Sequence, residues 1–322
     1  MKKVLIMSYF FPPANFAGSY RIYSWAKYFS KFGLYPIIIT RQWNFNQSNI
    51  YEEAKQNELV IDYFNGYEVH RVPYQQSLRD KMLDKYGNNK FVLFRRILTF
   101  IEIFFQNYFI WVIPYKNIFY YSKNMLKANK DIKFIIASGR PFQLFMFSNK
   151  LSKLYKIPWV ADYRDEWTTC QWVNTYSLSH RILIKVEQIY EKLWLKNANF
   201  IIATTDFSTN RLKNFLNKKG ITVLNGFDND DYNIQVAKKH DKLRILYNGT
   251  LYQSQETSHF FEGIKLFINK YLHSNVEILF PGILVDSEIA NKVENNLKSL
   301  CVDYQFFDRL PKKEVIELQL AS

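Results

Sequence analysis

Along the chain, short continuous apolar runs alternate with longer stretches in which apolar residues recur every three or four positions. The first kind of run predicts buried parallel strands and the second predicts amphipathic helices. Residues 4–7 form the first run. Pro12 and Pro13 follow it, and proline has no amide to give to a strand ladder. Ile22, Trp25, Ala26 and Phe29 then recur at helical spacing. Ser19 is the expected N-cap, and Gly18 before it is free to take a tight or left-handed backbone. Further strands are predicted over 35–40, 67–72, 132–137, 158–161, 199–203 and 221–224, with helices over 91–109, 115–129, 142–155, 179–196 and 206–216. On the 179–196 helix, Ile182, Val186, Ile189 and Leu193 share one face, which is expected to be the buried one. His70 is expected to be a half-exposed strand residue rather than a ligand.

Residues 227–242 are polar and aperiodic and read as a linker. The alternation resumes with strands at 243–247, 276–280 and 304–307 and helices at 260–271, 287–300 and 311–320. This order predicts an α/β protein of two Rossmann-like, doubly wound domains, 1–226 and 243–322. The second holds about three strands, short of the five or six of a typical open sheet, and is expected to be incomplete.

The segment from Phe91 to Phe109 is the most apolar of the chain. Arg95, Glu102 and Gln106 share one side of it, and aliphatic and aromatic residues fill the rest. Two readings stay open. One is a buried helix with a wet edge. The other is a helix resting on an anionic membrane surface, with its arginines and the upstream Lys81, Lys85 and Lys90 near the headgroups.

Composition narrows the partners. The 322 residues carry 43 Lys and Arg against 29 Asp and Glu, a net charge of +14, so anionic partners are favoured. The charges are scattered and form no recognition motif, so nucleic acid is not expected as a partner. Two distant cysteines, Cys170 and Cys301, make neither a disulfide framework nor a metal site and suit a reducing cytoplasm. The Lys2-Lys3 start is not read as a signal peptide, because the apolar run is short and prolines follow it. No stretch is long and apolar enough to span a bilayer, so any membrane association is expected to be peripheral, on the inner face of the cytoplasmic membrane.

Candidate chemistry gathers after strand ends, where open parallel sheets bind ligands. The first helix start near Gly18 and Arg21 suits an anion such as phosphate. The stretch Asp162-Tyr163-Arg164-Asp165-Glu166-Trp167 follows another strand, and Ser138-Gly139-Arg140-Pro141 a third.

These pieces resemble, in order, those of a GT-B glycosyltransferase, close to the large family 4 of retaining enzymes. YFFPPANFAGSYR is similar to that family's first loop. WVADYRDEW resembles a stretch of one bacterial subgroup, and IIATTDFSTNRL resembles its following strand and helix. VLNGFD is similar to the segment closing the first domain, and ILYNGTLYQ to the first strand and loop of the second. The resemblance covers nearly the whole chain. It implies transfer of a sugar, with retention, from a nucleotide-diphosphate sugar to a glycan or lipid-linked acceptor of the envelope, such as lipopolysaccharide or capsule. No metal or separate cofactor is implied, and the nucleotide-sugar enters as substrate. By position, Arg164, Asp165 and Arg140 would serve the reaction. Gly18, Arg21, Asn248, Gly249, Thr250 and Gly282 would serve the donor and its diphosphate. Asp162 and Asp165 are not read as a hydrolase-type carboxylate pair.

The sequence departs from the family in three places. Residues 250–257 lack the family's basic pair. Ser138-Gly139-Arg140 stands where a histidine is usual. The family's glutamate pair would fall beyond Ser322, since Glu314 and Glu317 lie too early. The chain is therefore expected to be a fragment or a shortened protein with little activity of its own. The alternatives are a non-catalytic component of a polysaccharide assembly system and a sugar-nucleotide epimerase of the same fold.

Overall fold

The computed structural model describes residues 1–43, 58–87, 89–170, 178–228, 230, 242–252, 255–271, 275–300 and 302–322. The chain divides into two compact units, Met1–Gly226 and Phe227–Ser322. Most of the linker expected over 227–242 lies outside the described residues.

The first unit opens with β1 (Lys2–Ser8), α1 (Ala17–Tyr28), β2 (Leu34–Arg41), the hairpin β3 (Val60–Phe64) and β4 (Tyr67–Val72), and helices α2 (Leu78–Tyr86) and α3 (Val92–Gln106). It continues through α4 (Lys116–Ala128), β5 (Ile132–Gly139), α5 (Gln143–Tyr155), β6 (Trp159–Tyr163), α6 (Leu178–Leu195), β7 (Phe200–Ala203), α7 (Asp206–Leu216) and β8 (Gly220–Thr222). Among the described residues the sheet runs β3-β4-β2-β1-β5-β6-β7-β8, and only β3 is antiparallel to its neighbour. β1 is central: Leu5 lies opposite Ile37 on one side and Ile135 on the other.

Both faces of the sheet are covered, and this is why residues 4–7 of β1 are continuously apolar. Val4 and Ile6 pack with Ile22 and Ala26 of α1. Leu5 and Met7 join the larger core with Ile118 of α4 and Leu144, Phe145 and Phe147 of α5. The strand ends therefore converge on one rim of the sheet, with Ser8 beside Ser138 and Ser138 beside Asp162.

Several details differ from the sequence reading. Gly18 and Ser19 both lie inside α1, whose N-cap is Phe16, and Gly18 does not have a positive φ. His70 is buried, with Nδ1 2.8 Å from the Tyr121 hydroxyl and Nε2 3.2 Å from Glu68. The strand alternation expected of a half-exposed histidine fails because α4 covers that side of β4. On α6 the described members of the expected buried face, Val186, Ile189 and Leu193, are exposed, while Ile184, Glu191 and Trp194 are buried. The Ile182 side chain lies outside the described residues. The reading of the 91–109 segment as a buried helix with a wet edge does not hold, for α3 has no buried residue.

The second unit repeats the α/β alternation. Its strands β9 (Leu243–Leu246), β10 (Val276–Pro281) and β11 (Asp303–Phe307) form a parallel sheet in the order β11-β10-β9 among the described residues. Helices α8 (Ser258–Lys270), α9 (Ser287–Leu300) and α10 (Lys312–Leu320) accompany them. Phe261 and Ile264 of α8 and Val293 and Leu297 of α9 bury against Ile278 and Phe280 of β10. Arg244 on β9 bonds Glu277 on β10 at 2.6 Å, and Gln305 on β11 donates to the same carboxylate at 2.8 Å, so one acid ties all three strands.

Candidate functional site

At the rim of the large sheet, the segment after β6 distributes its side chains in turn. Asp162, at the strand's end, points inward and is wholly buried. Arg21 of α1 grips it, with Nε 3.1 Å and Nη2 2.9 Å from Oδ1, and Ser138 donates to Oδ2 at 2.8 Å. Arg21 also donates through Nη1 to the Val223 carbonyl at 2.8 Å and to Asn225 Oδ1 at 3.1 Å. One guanidinium thus joins α1, β6 and the segment leaving β8. Burial pushes the Asp162 carboxyl up from its ordinary value, while Arg21 and Ser138 pull the other way.

Tyr163 turns to the opposite side and donates to Glu191 of α6 at 2.7 Å, and the Thr168 hydroxyl donates to the same carboxylate at 2.5 Å. Glu166 accepts from Ser208 at 2.7 Å and from Arg211 of α7 at 3.2 Å. Trp167 stacks between Phe142 and Trp194, at centroid distances of 4.9 and 5.1 Å, and donates to Glu187 at 3.1 Å. Four of the six residues in this stretch therefore bolt the loop to α1, α6 and α7, which leaves Arg164 and Asp165 at the surface.

Burial also pushes the Glu191 carboxyl up, against the hydrogen bonds from Thr168 and Tyr163. A raised carboxyl binds its proton more tightly folded than unfolded. The stability this represents is present at low pH and is lost as pH rises from the ordinary carboxylate value of 4.5 through the raised one. Glu191→Gln removes that titration and keeps polar atoms against Tyr163 and Thr168. In urea unfolding followed by tryptophan fluorescence, the variant's stability relative to the wild type should therefore increase between pH 5 and pH 8. A difference that stays constant across that interval would show that the carboxylate is not held at a cost.

Arg164 is the side chain that faces the start of α1. Its Nε and Nη2 each lie 3.2 Å from Asp165 Oδ2, and its guanidinium sits over the Phe10 ring at 5.4 Å. It lies so close to Gly18 that a Cβ built there would stand 1.5 Å from Nη1 and 3.2 Å from Cδ. Glycine is required at this position for close approach, not for backbone conformation. The N-terminus of α1 has no side-chain cap and no acidic residue in its first turn, so a guanidinium and the positive end of a helix dipole meet there. Both favour an anion. The Ser19 hydroxyl, next to Gly18 in α1, is buried without a hydrogen-bond partner among the described residues.

The other residues singled out in the sequence fall into two groups. Arg140 is exposed, just past the end of β5. The pairing of Gly139 with Tyr163 puts it at the strand end next to that of Arg164. Arg21 is nearby but turned wholly inward. Asn248, Gly249, Thr250 and Gly282 lie in the second unit. There Gly249 (φ +140°) follows β9 and Gly282 (φ +92°) follows β10, conformations that L side chains rarely adopt. The two glycines adjoin, since a Cβ on Gly282 would lie 3.6 Å from the Gly249 carbonyl oxygen. The Gly249 amide donates to Pro281 O at 3.3 Å and the Gly282 amide to Phe307 O at 3.0 Å, which laces three strand ends together.

One feature of the same rim was missed in the sequence. Arg41, at the end of β2, is fully buried, and its guanidinium lies 4.1 Å from the Trp43 ring and 4.0 Å from that of Tyr74. The signal was an arginine closing an otherwise apolar strand and followed closely by Trp43.

The chain matches no protein-family model and no curated protein. Its fold is similar to several solved structures. The catalytic domain of starch synthase IV from Arabidopsis thaliana, bound to ADP and acarbose, aligns with a TM-score of 0.56 at 13% identity, over 100% of this chain and 77% of that one. HepE of Anabaena, in complex with UDP and glucose, aligns at 0.54 and 9% identity, over 99% and 71%. TarM aligns at 0.51 and 12% identity, over 98% and 79%. These are glycosyltransferases of the GT-B fold, and the present chain shares that architecture of Rossmann-like α/β units.

Proposed function

We propose that this chain is a glycosyltransferase that moves a sugar, with retention of configuration, from a nucleotide-diphosphate sugar to a glycan or lipid-linked acceptor. The observation that carries the reading is the meeting of Arg164 with the uncapped N-terminus of α1 over Gly18. Breaking the bond between the sugar and the diphosphate leaves the bonding electrons on a phosphate oxygen. A guanidinium and the positive end of a helix dipole close to that oxygen lower the barrier. Arg140, at the neighbouring strand end, adds positive charge. In the second unit taken by itself, the adjoining turns at Gly249 and Gly282 bare their backbone, with Asn248 and Thr250 on either side of the first, and suit the close approach of a nucleotide. Arg21 acts here as a positioning residue, holding α1 against β6.

Within this reading, front-face attack is preferred to double displacement. Asp162 is buried and committed to Arg21 and Ser138, and Asp165 is exposed and bonded to Arg164, so they do not form the facing pair a double-displacement hydrolase needs. In the front-face scheme the acceptor hydroxyl attacks the sugar carbon as the phosphate leaves, and its proton passes to the leaving phosphate oxygen. Envelope glycans are the acceptor class that fits the resemblance of the DYRDEW stretch.

Calorimetry with UDP and ADP, the nucleotides held by the similar folds, tests the donor half of this reading. Saturable binding of at least one, weakened at least about tenfold in Arg164→Ala, is the expected result. A protein that binds neither nucleotide nor any nucleotide-sugar overturns it.

A further inference from the structure

Helix α3 is inside out. Its polar residues Arg95, Thr99, Glu102 and Gln106 form one stripe, and that stripe is the half-buried side facing the protein. The Glu102 carboxylate accepts from the Arg79 amide of α2 at 3.4 Å, and burial pushes this carboxyl up. The opposite face, centred on Leu93, Ile97, Phe100 and Phe104, is turned outward, with Leu93 72% and Phe100 69% exposed. A helix on the surface of a water-soluble protein does the reverse.

The same inversion recurs on α6, where Val186, Ile189 and Leu193 face outward and Ile189 is 66% exposed. The two surfaces join, because the rings of Tyr108, just after α3, and Tyr190 of α6 meet edge to face at 5.4 Å. Trp111, 64% exposed, extends the same aromatic run. The resulting patch is far more apolar than scattered surface leucines and marks an interaction site.

Charge decides what covers it. Every acid of the two helices is turned away: Glu102 toward α2, Glu187 to Trp167, and Glu191 to Tyr163 and Thr168. Apart from Arg95 on the inward stripe, the cations stay out. Arg96 is exposed on α3, and Arg181, Lys185 and Lys192 line one flank of the α6 stripe. A second copy of this chain docked through the same two helices would offer these cations no acid, since the acids of both helices are turned inward. An anionic lipid surface accepts the whole pattern, with apolar rings in the acyl boundary, tyrosine and tryptophan at headgroup depth and a cationic border. Insertion across the bilayer is ruled out for α3, which is only about 22 Å long. Among the described residues no helix is long and apolar enough to cross a membrane.

We infer that this chain docks on an anionic bilayer through the joined outer faces of α3 and α6, with α3 lying in the plane of the interface. The inference is independent of the donor chemistry, and its test involves no sugar. The full chain is mixed with vesicles of phosphatidylcholine alone or of phosphatidylcholine with phosphatidylglycerol, and the two are floated on a density gradient. The protein is expected to float with the anionic vesicles, to stay down with the neutral ones, and to be released in part by high salt. Phe100→Asp with Phe104→Asp should cut the floated fraction by at least about tenfold. Lys185→Gln with Lys192→Gln should cut it less and blunt the salt effect. All four positions are exposed, so circular dichroism should confirm unchanged folding. Three outcomes overturn the inference: wild-type protein that stays down with anionic vesicles, an aspartate variant that floats like wild type, or substitutions that turn a dimer into a monomer without changing flotation.

Discussion

Asp162→Ala is expected to lower the unfolding free energy of the Met1–Gly226 unit by about 3–5 kcal/mol. The loss does not come from a favourable ion pair as such, since burying two charges costs about as much as their attraction returns. It comes from stranding Arg21. That guanidinium is 3% exposed, and without the carboxylate it keeps only neutral partners for a full charge among the described residues: the Val223 and Leu224 carbonyls, Asn225 and the Trp25 ring. The Ser138 hydroxyl loses its acceptor as well. The double variant Arg21→Met, Asp162→Ala separates these causes. It removes the stranded charge and leaves only unpaired neutral groups, each costing about 1–3 kcal/mol. It should therefore be more stable than Asp162→Ala alone although it carries one more substitution. All seven tryptophans lie at or before Trp194, so tryptophan fluorescence in urea follows this unit selectively. A double variant as unstable as the sum of its parts would show that the pair is not coupled.

Gly18→Ala should leave stability unchanged or slightly raised while costing nearly as much function as Arg164→Ala. Alanine is favoured over glycine in a helix by up to about 1 kcal/mol. The added methyl meets the end of a flexible side chain, so the guanidinium can swing away without disturbing the core. That movement takes the charge off the N-terminus of α1. If Arg164 stabilises the leaving diphosphate, Arg164→Ala slows sugar transfer by about 10²–10³-fold, the usual worth of one well-placed donor. Gly18→Ala should approach that loss, and the two together should be no worse than Arg164→Ala alone. Additive losses would mean that Gly18 acts on the substrate directly rather than through Arg164. Activity unchanged in all three would remove this corner from the mechanism.

Much of the fold was legible because the parallel strands of the first unit are covered on both faces. Residues 4–7, 37–39 and 134–137 are unbroken apolar runs, and each lies in a strand of the sheet. The hairpin strand β3 was overlooked despite a good signal: Asn65-Gly66 lies between β3 and β4, and Gly66 has a φ of +93°. Helix α2 carried one too, the capping box of Ser77 and Asp80. What periodicity could not reveal is which side of a helix faces in. Glu187 and Glu191 lie on the inner side of α6 because Trp167, Tyr163 and Thr168 need acceptors there, and those partners are distant in sequence. The site was half legible. The cluster after β6 stood out, but its division into anchors and surface groups depends on Glu191, Ser208 and Arg211, which no local pattern connects to it. Gly18 was read as a loop residue free to take a left-handed backbone, but it lies inside α1, and what calls for glycine there is Arg164, which lies on another strand end.

The reach of Arg21 also bears on how the chain is made. Asp162 leaves the ribosome 141 residues after it, and Val223 a further stretch later, 202 residues on. At about 5–20 residues per second, the arginine waits roughly 10–40 seconds for its last partner. Through that interval the β1–α1–β2 segment already exists while its buried charge stays in water. The three-way clasp closes only when the rim of the sheet is nearly all synthesised, so it acts as a late check that β6 and the segment after β8 have reached their places.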